Sequence, residues 1–186
     1  LYAHKAMPDF KTMQILMSLP DRKDDTVMQA LVEAVESTGA TVVDQTALIR
    51  PLMPEKGTLT KREPTDDEKR DMEFGFRMAK EIGRLDVGQT VVVKNLAVMA
   101  LEAIEGTDAC IRRGGQLARG GAVVAKVAKP QQDRRFDVPA VGQTTIESMI
   151  EAGAKALVIE AGQTLLVEKA QVLQLAEANG ITIVAM

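Results

Sequence analysis

Twelve residues, Lys126-Val-Ala-Lys-Pro-Gln-Gln-Asp-Arg-Arg-Phe-Asp137, hold two lysines, two arginines and two carboxylates, Asp133 and Asp137. They follow an apolar run and are interrupted by Pro130, which favours a loop over a helix. Loops at strand ends are where α/β proteins place ligand chemistry. Cations in such a loop neutralise phosphate oxygens, and carboxylates hold Mg²⁺ or orient water. The same composition also suits a solvated loop of local Asp–Arg pairs.

A second cluster is Glu102-Ala-Ile-Glu105-Gly106-Thr107-Asp108. A glycine followed by Thr107-Asp108 reads as a helix start capped by Thr107, where free N–H groups favour anions. Glu102 and Glu105 just before it could face a metal. The plain alternative is a well-capped helix. Asp86-Val-Gly-Gln-Thr90 reads as a turn ahead of a strand. Gly114-Gly115 and Gly120-Gly121 could let backbone approach a phosphate or simply punctuate loops. Neither GxxxxGK[ST] nor GxGxxG occurs.

The rest of the composition narrows the chemistry. The chain has 186 residues, one Cys, Cys110, and one His, His4. No internal disulfide and no CxxC zinc site can form. A Ser-His-Asp or His-rich metal site would have to borrow a residue close to the start of the chain. Carboxylates and lysines must therefore carry any acid–base or metal chemistry. A net charge of −3 argues against a broad basic face for duplex phosphates, and five aromatic residues without Trp argue against stacking platforms. The longest apolar run, Leu96 to Leu101, is far below the roughly 20 residues that span a bilayer. The opening residues lack a signal-peptide pattern, and a cytoplasmic setting is expected. Residue 1 is Leu, not Met, which reads as a fragment.

The elements that must position these residues alternate. Asp21 is expected to cap a helix to about Ser37 with Val27, Leu31, Ala34 and Val35 inward. Thr41-Val-Val-Asp44 reads as a buried strand. Pro51, Pro54, Gly57 and Pro64 mark a linker, with a domain boundary near residue 53. Thr65 and Glu68 form a capping box opening a helix that ends at Gly83. Runs at 90–93, 98–101, 122–128, 156–159, 164–167 and 181–184 read as strands. Residues 107–117, 143–152 and 168–178 read as helices. The fold class is α/β: a remnant of a Rossmann-like domain over residues 1–52, then a mixed α/β domain over 53–186.

The strings D-V-G-Q-T-V-V-V, A-L-E-A-I-E-G-T-D-A-C-I-R-R-G and K-V-A-K-P-Q-Q-D-R-R-F-D-V-P-A-V-G resemble the LpxI family, the UDP-2,3-diacylglucosamine pyrophosphatases of some Gram-negative bacteria. The resemblance spans the chain and is strongest from Gly57 to Gly142. Residues 1–52 are similar only to the end of that family's Rossmann-like N-terminal domain. The resemblance implies Mg²⁺-dependent hydrolysis to UMP and 2,3-diacylglucosamine 1-phosphate on the path to lipid A. It implies acidic catalysis at Asp133 and Asp137, with Asp133, Asp137 and Glu105 as metal ligands. Substrate contacts are expected from Gln89, Glu105, Gly106, Thr107, Asp108, Lys126, Lys129, Gln132 and Arg135. The expected partner is the lipid-linked nucleotide sugar and no nucleic acid. Peripheral association with the inner membrane and a homodimer complete the expectations. A non-catalytic nucleotide- or phosphate-binding regulatory module is the alternative, because it needs the same anion-binding loops without turnover.

Overall fold

A computed structural model describes residues 9–21 and 24–186. The chain divides into two compact units. The smaller comprises the described residues up to Gln45 together with Asp133–Phe136, and the larger comprises Thr46–Gln132 and Asp137–Met186.

The smaller unit is built on helices α1 (Phe10–Ser18) and α2 (Asp24–Glu36). Asp9 caps α1 by accepting the Thr12 N–H at 2.7 Å. The expected cap of α2 at Asp21 falls beside residues outside the described set. The stripe buried on α2 is Val27 and Val32, whereas Leu31 and Val35 stay partly exposed. The strand expected at Thr41–Asp44 does not form: the segment is irregular and Val43 is 62% exposed. A β run holds its shape through a ladder, and no neighbouring strand exists in this unit among the described residues.

The larger unit contains helix α3 (Thr46–Ile49), a 3-10 turn at Arg50–Leu52 and strand β1 (Gly57–Thr58). Residues read as linker thus contribute a strand, because Gly57 and Thr58 pair antiparallel with the end of the chain. Helix α4 (Asp66–Arg84) opens with the expected capping box: Thr65 accepts the Glu68 N–H and Glu68 accepts the Thr65 N–H. It runs one residue past Gly83. Strands β2 (Thr90–Lys94) and β3 (Ala97–Leu101) form a hairpin, followed by α5 (Thr107–Ala118), β4 (Val123–Lys126), β5 (Ala140–Val141), α6 (Gln143–Glu151), β6 (Ala156–Ile159), β7 (Leu165–Leu166), α7 (Lys169–Ala178) and β8 (Thr182–Ala185).

Six strands make one sheet in the order β1-β8-β6-β4-β2-β3. β4, β6 and β8 run parallel at its centre, and β1, β2 and β3 add antiparallel flanks. β5 and β7 pair separately. Alternation sorts the side chains. Val92, Val124, Leu157 and Ile183 face the core that includes Ile111 of α5, Met149 of α6 and Val172 of α7. Val91, Val93, Val123, Ala125 and Val158 pack with Met72 and Ala79 of α4. Gly114 and Gly115, which weaken a helix in isolation, are required here. A Cβ at Gly114 would lie 2.5 Å from Val92 Cβ, and one at Gly115 would lie 2.4 Å from Ala152 Cβ.

The β2–β3 turn lacks Asn-Gly, yet Asn95 and Leu96 both adopt positive φ, 53° and 58°. Buried Asp71 of α4 compensates by accepting the N–H groups of Asn95 at 2.8 Å and Leu96 at 2.7 Å. Asp71→Ala orphans both donors, so urea denaturation should show a loss of about 2 kcal/mol, within the range for charged hydrogen bonds.

Candidate functional site

The polar cluster of the larger unit begins where the β2–β4 ladder ends. Thr90 pairs with Lys126 across the strands, and cross-strand partners share a face. Both are buried, Lys126 at 7% exposure. Its Nζ donates to the Ala140 carbonyl at 2.9 Å, its one hydrogen bond among the described residues. Burial pushes the Lys126 ammonium below its ordinary value of 10.5, while the charges of Glu102, Asp108 and Asp137 oppose that shift.

Glu102, also 7% exposed, ties three segments together. Its Oε1 accepts the Thr107 hydroxyl at 3.0 Å and its Oε2 accepts the Gln89 N–H at 3.3 Å. Since the Thr107 proton points to Glu102, the 3.4 Å contact between the Thr90 and Thr107 hydroxyls leaves Thr90 as donor. Thr107 can then only accept from a ligand. Gly88 permits this close packing, because a Cβ there would lie 2.2 Å from the Glu102 carbonyl oxygen.

Helix α5 starts differently from the sequence expectation. Gly106, at φ 81°, is the N-cap, and no side chain caps the helix. Thr107 and Asp108 occupy its first turn instead. The early N–H groups therefore lack a side-chain acceptor, and an anion is their natural complement. Glu105 turns to Arg113, and it also accepts the Ala103 N–H at 3.1 Å. The Arg113 guanidinium holds the Glu105 carboxyl below its usual range.

The polar loop is divided between the units. In the larger one, Gln132 accepts the Lys129 N–H at 3.0 Å and donates to Asp137 Oδ2 at 2.5 Å. Lys129 Nζ donates to Asp86 at 2.9 Å, and Gln131 donates to the Gly83 carbonyl at 2.9 Å. In the smaller one, Arg135 grips Asp133 through Nε and Nη2, the latter at 2.7 Å, and reaches Gln29 Oε1 at 2.8 Å and Glu36 at 3.7 Å on α2. Arg135 lowers the Asp133 carboxyl below 3.8.

Of the predicted site residues, Gln89, Thr107, Asp108, Lys126 and Asp137 belong to one electrostatic neighbourhood. Gly106 starts α5, and Gln132 holds Asp137. Asp133 and Arg135 belong to the smaller unit. Among the described residues no group of three His, Cys, Asp or Glu side chains is arranged to hold a metal ion. Buried Cys110, its thiol pushed up to about 12 by desolvation, is chemically inert at neutral pH. Glu102 and Thr90 join the site without having been candidates for substrate contact. The available signal was a carboxylate directly after an apolar strand, but not its burial.

These features define an α/β protein in which a buried lysine and a helix start without a side-chain cap lie beside carboxylates. The LpxI C-terminal domain description matches residues 55–184, and the LpxI N-terminal domain description matches residues 1–52. A relative from Caulobacter vibrioides, named UDP-2,3-diacylglucosamine pyrophosphatase LpxI, is 34% identical over 191 residues, covering 97% of this chain and 68% of its own length. The chain belongs to the LpxI family. Among the described residues, no helix is long and apolar enough to cross a membrane.

The Asp133–Arg135 pair has a definite pH signature. A lowered carboxylate contributes stability above its unfolded value and loses it as pH falls through its folded value. Carboxyl NMR should place the Asp133 midpoint below 3.8. Arg135→Met should move that midpoint back up, whereas an unmoved midpoint would show that Arg135 is not its cause.

Proposed function

We propose that this protein hydrolyses the pyrophosphate of UDP-2,3-diacylglucosamine, giving UMP and 2,3-diacylglucosamine 1-phosphate in lipid A biosynthesis. The printed name of the Caulobacter relative supports that substrate. The observation that carries the reading is Lys126: a buried ammonium with one carbonyl acceptor among the described residues, beside a helix start lacking a side-chain cap. An ammonium has three N–H bonds, so two are left for oxygens of an incoming phosphate. A phosphate anion would also relieve the desolvation of Lys126 and complement the α5 N–H groups.

In this reading, water adds to one phosphorus, the bridging P–O bond breaks, and the two phosphates part. Lys126 and the α5 terminus hold the negative oxygens where charge accumulates. Thr107, fixed by Glu102, presents a lone pair to a substrate hydroxyl. Gln132 holds Asp137 toward the same neighbourhood, and Gln89 lines it through a backbone that Glu102 anchors. Lys129 adds positive charge from the part of the polar loop that belongs to the larger unit.

Mg²⁺ suits the oxygen donors present. It is usually bound by one or two carboxylates plus substrate phosphates, so a three-carboxylate cage is not needed. Asp137 is the residue proposed to hold it, its carboxylate being occupied by the neutral Gln132 side chain. Asp133 and Glu105 would first have to leave Arg135 and Arg113. When bound, the ion neutralises phosphate charge and polarises the phosphoryl oxygens.

The test is UMP release by the whole protein, with Mg²⁺ and with the ion chelated. Lys126→Met and Asp137→Asn should each lower kcat by at least ~10², the scale of a lost charge contact in a transition state. Asp133→Asn tests whether the Arg135-bound carboxylate shares in the chemistry, and full activity would exclude Asp133 from it. Failure of the wild-type protein to release UMP would overturn the reading.

A further inference from the structure

Lys80 on α4 and Glu160 just after β6 are 80 residues apart in sequence and meet as an ion pair, with Nζ 2.8 and 2.9 Å from the two carboxylate oxygens. Their shared target is one residue. Glu160 Oε2 accepts the Ala128 N–H at 2.9 Å, and Lys80 Nζ donates to the Ala128 carbonyl at 3.0 Å. All three ammonium donors of Lys80 are thereby used. Ala128 is where β4 has ended and the polar loop begins, two residues after Lys126.

The backbone on either side is held in series. Lys126 is paired with Thr90 in the ladder, Val127 donates its N–H to the Gln89 carbonyl at 3.1 Å, and Lys129 donates its N–H to Gln132. Among the described residues, Ala128 is the link in this series that no β ladder and no loop side chain secures. An extended strand terminus with an unheld peptide would let the Lys126 ammonium and the Gln132–Asp137 pair drift independently. The clamp joins α4, β4 and β6 at that one residue.

We infer that Lys80 and Glu160 are positioning residues for hydrolysis, fixing Ala128 so that Lys126 and the start of the polar loop keep their working geometry. This inference rests on the reading of Lys126 as a phosphate ligand. Exchanging a partly buried ion pair such as this one for apolar side chains of similar size costs little beyond the backbone groups it serves. A merely structural pair could therefore be exchanged without kinetic effect.

The experiment uses the whole protein and UDP-2,3-diacylglucosamine, following kcat, KM and Tm for wild type, Lys80→Met/Glu160→Met, Lys80→Met, Lys80→Arg and Lys126→Met. The double variant should fold with a lowered Tm, since the buried Ala128 N–H and carbonyl lose their partners, and should lose about 10²-fold in kcat with KM changed less than ~3-fold, the loss expected for a displacement of about 1 Å at the reacting groups. Wild-type kcat in a folded double variant would overturn the inference. If that variant does not fold, the single substitutions decide. Lys80→Arg, which keeps the charge opposite Glu160, should retain clearly more kcat than Lys80→Met, and equal kcat in the two would overturn the inference. Lys126→Met separates the two claims: full activity there removes the phosphate-ligand reading itself, whatever the clamp variants do.

Discussion

A positive charge is carried into the larger unit on a strand whose other side chains are apolar, and the surrounding architecture follows from that. Lys126 ends β4 after Val123, Val124 and Ala125, all fully buried. Removing an ammonium from water is costly unless opposite charge or hydrogen bonds compensate. Three carboxylates, Glu102, Asp108 and Asp137, act on it without forming a close ion pair among the described residues. They come from the end of β3, the start of α5 and the far end of the polar loop. Their charges oppose the desolvation and leave its donors largely unspent, which is the condition the proposed phosphate site requires.

A second theme is the use of acidic side chains to take up backbone N–H groups at irregular joints. Asp71 closes the β2–β3 turn, Glu102 holds Gln89 before β2, and Glu160 holds Ala128 after β4. Each lies where a strand ends and the ladder can no longer satisfy the backbone. An unpaired buried N–H is expensive. A carboxylate meets it strongly and can serve a second donor with its other oxygen. In this protein the second donor is another N–H, a hydroxyl or an ammonium, so each acid links two elements.

The smaller unit is organised otherwise. Its described apolar residues are mostly open, with Phe10 and Met17 of α1 strongly exposed and only Val27 and Val32 of α2 buried. Polar contacts of Arg135 with Asp133, Gln29 and Glu36 do much of its joining.

Local and periodic information was legible in the sequence. The capping box at Thr65, the α5 to α7 helices, the central strands and the loop after β4 all follow from spacing, turn residues and alternation. The clustering of Lys126 with Asp137 was legible too, because both lie in one short stretch. Strand Thr41–Asp44 was misread because a short β-branched run describes a segment suited to pairing and supplies no partner. Gly57–Thr58 was missed because two residues carry no period, and their ladder comes from the far end of the chain. The α5 cap was misassigned to Thr107, whose hydroxyl is instead drawn to Glu102, itself buried only because β2, β3 and α5 converge. The sequence by itself determined which chemistry is available, mainly carboxylates and lysines with a single histidine at position 4, since composition alone settles that. Only the tertiary structure decided which of these charges act together, because desolvation and pairing are properties of residues brought close by folding from positions as distant as Lys80 and Glu160.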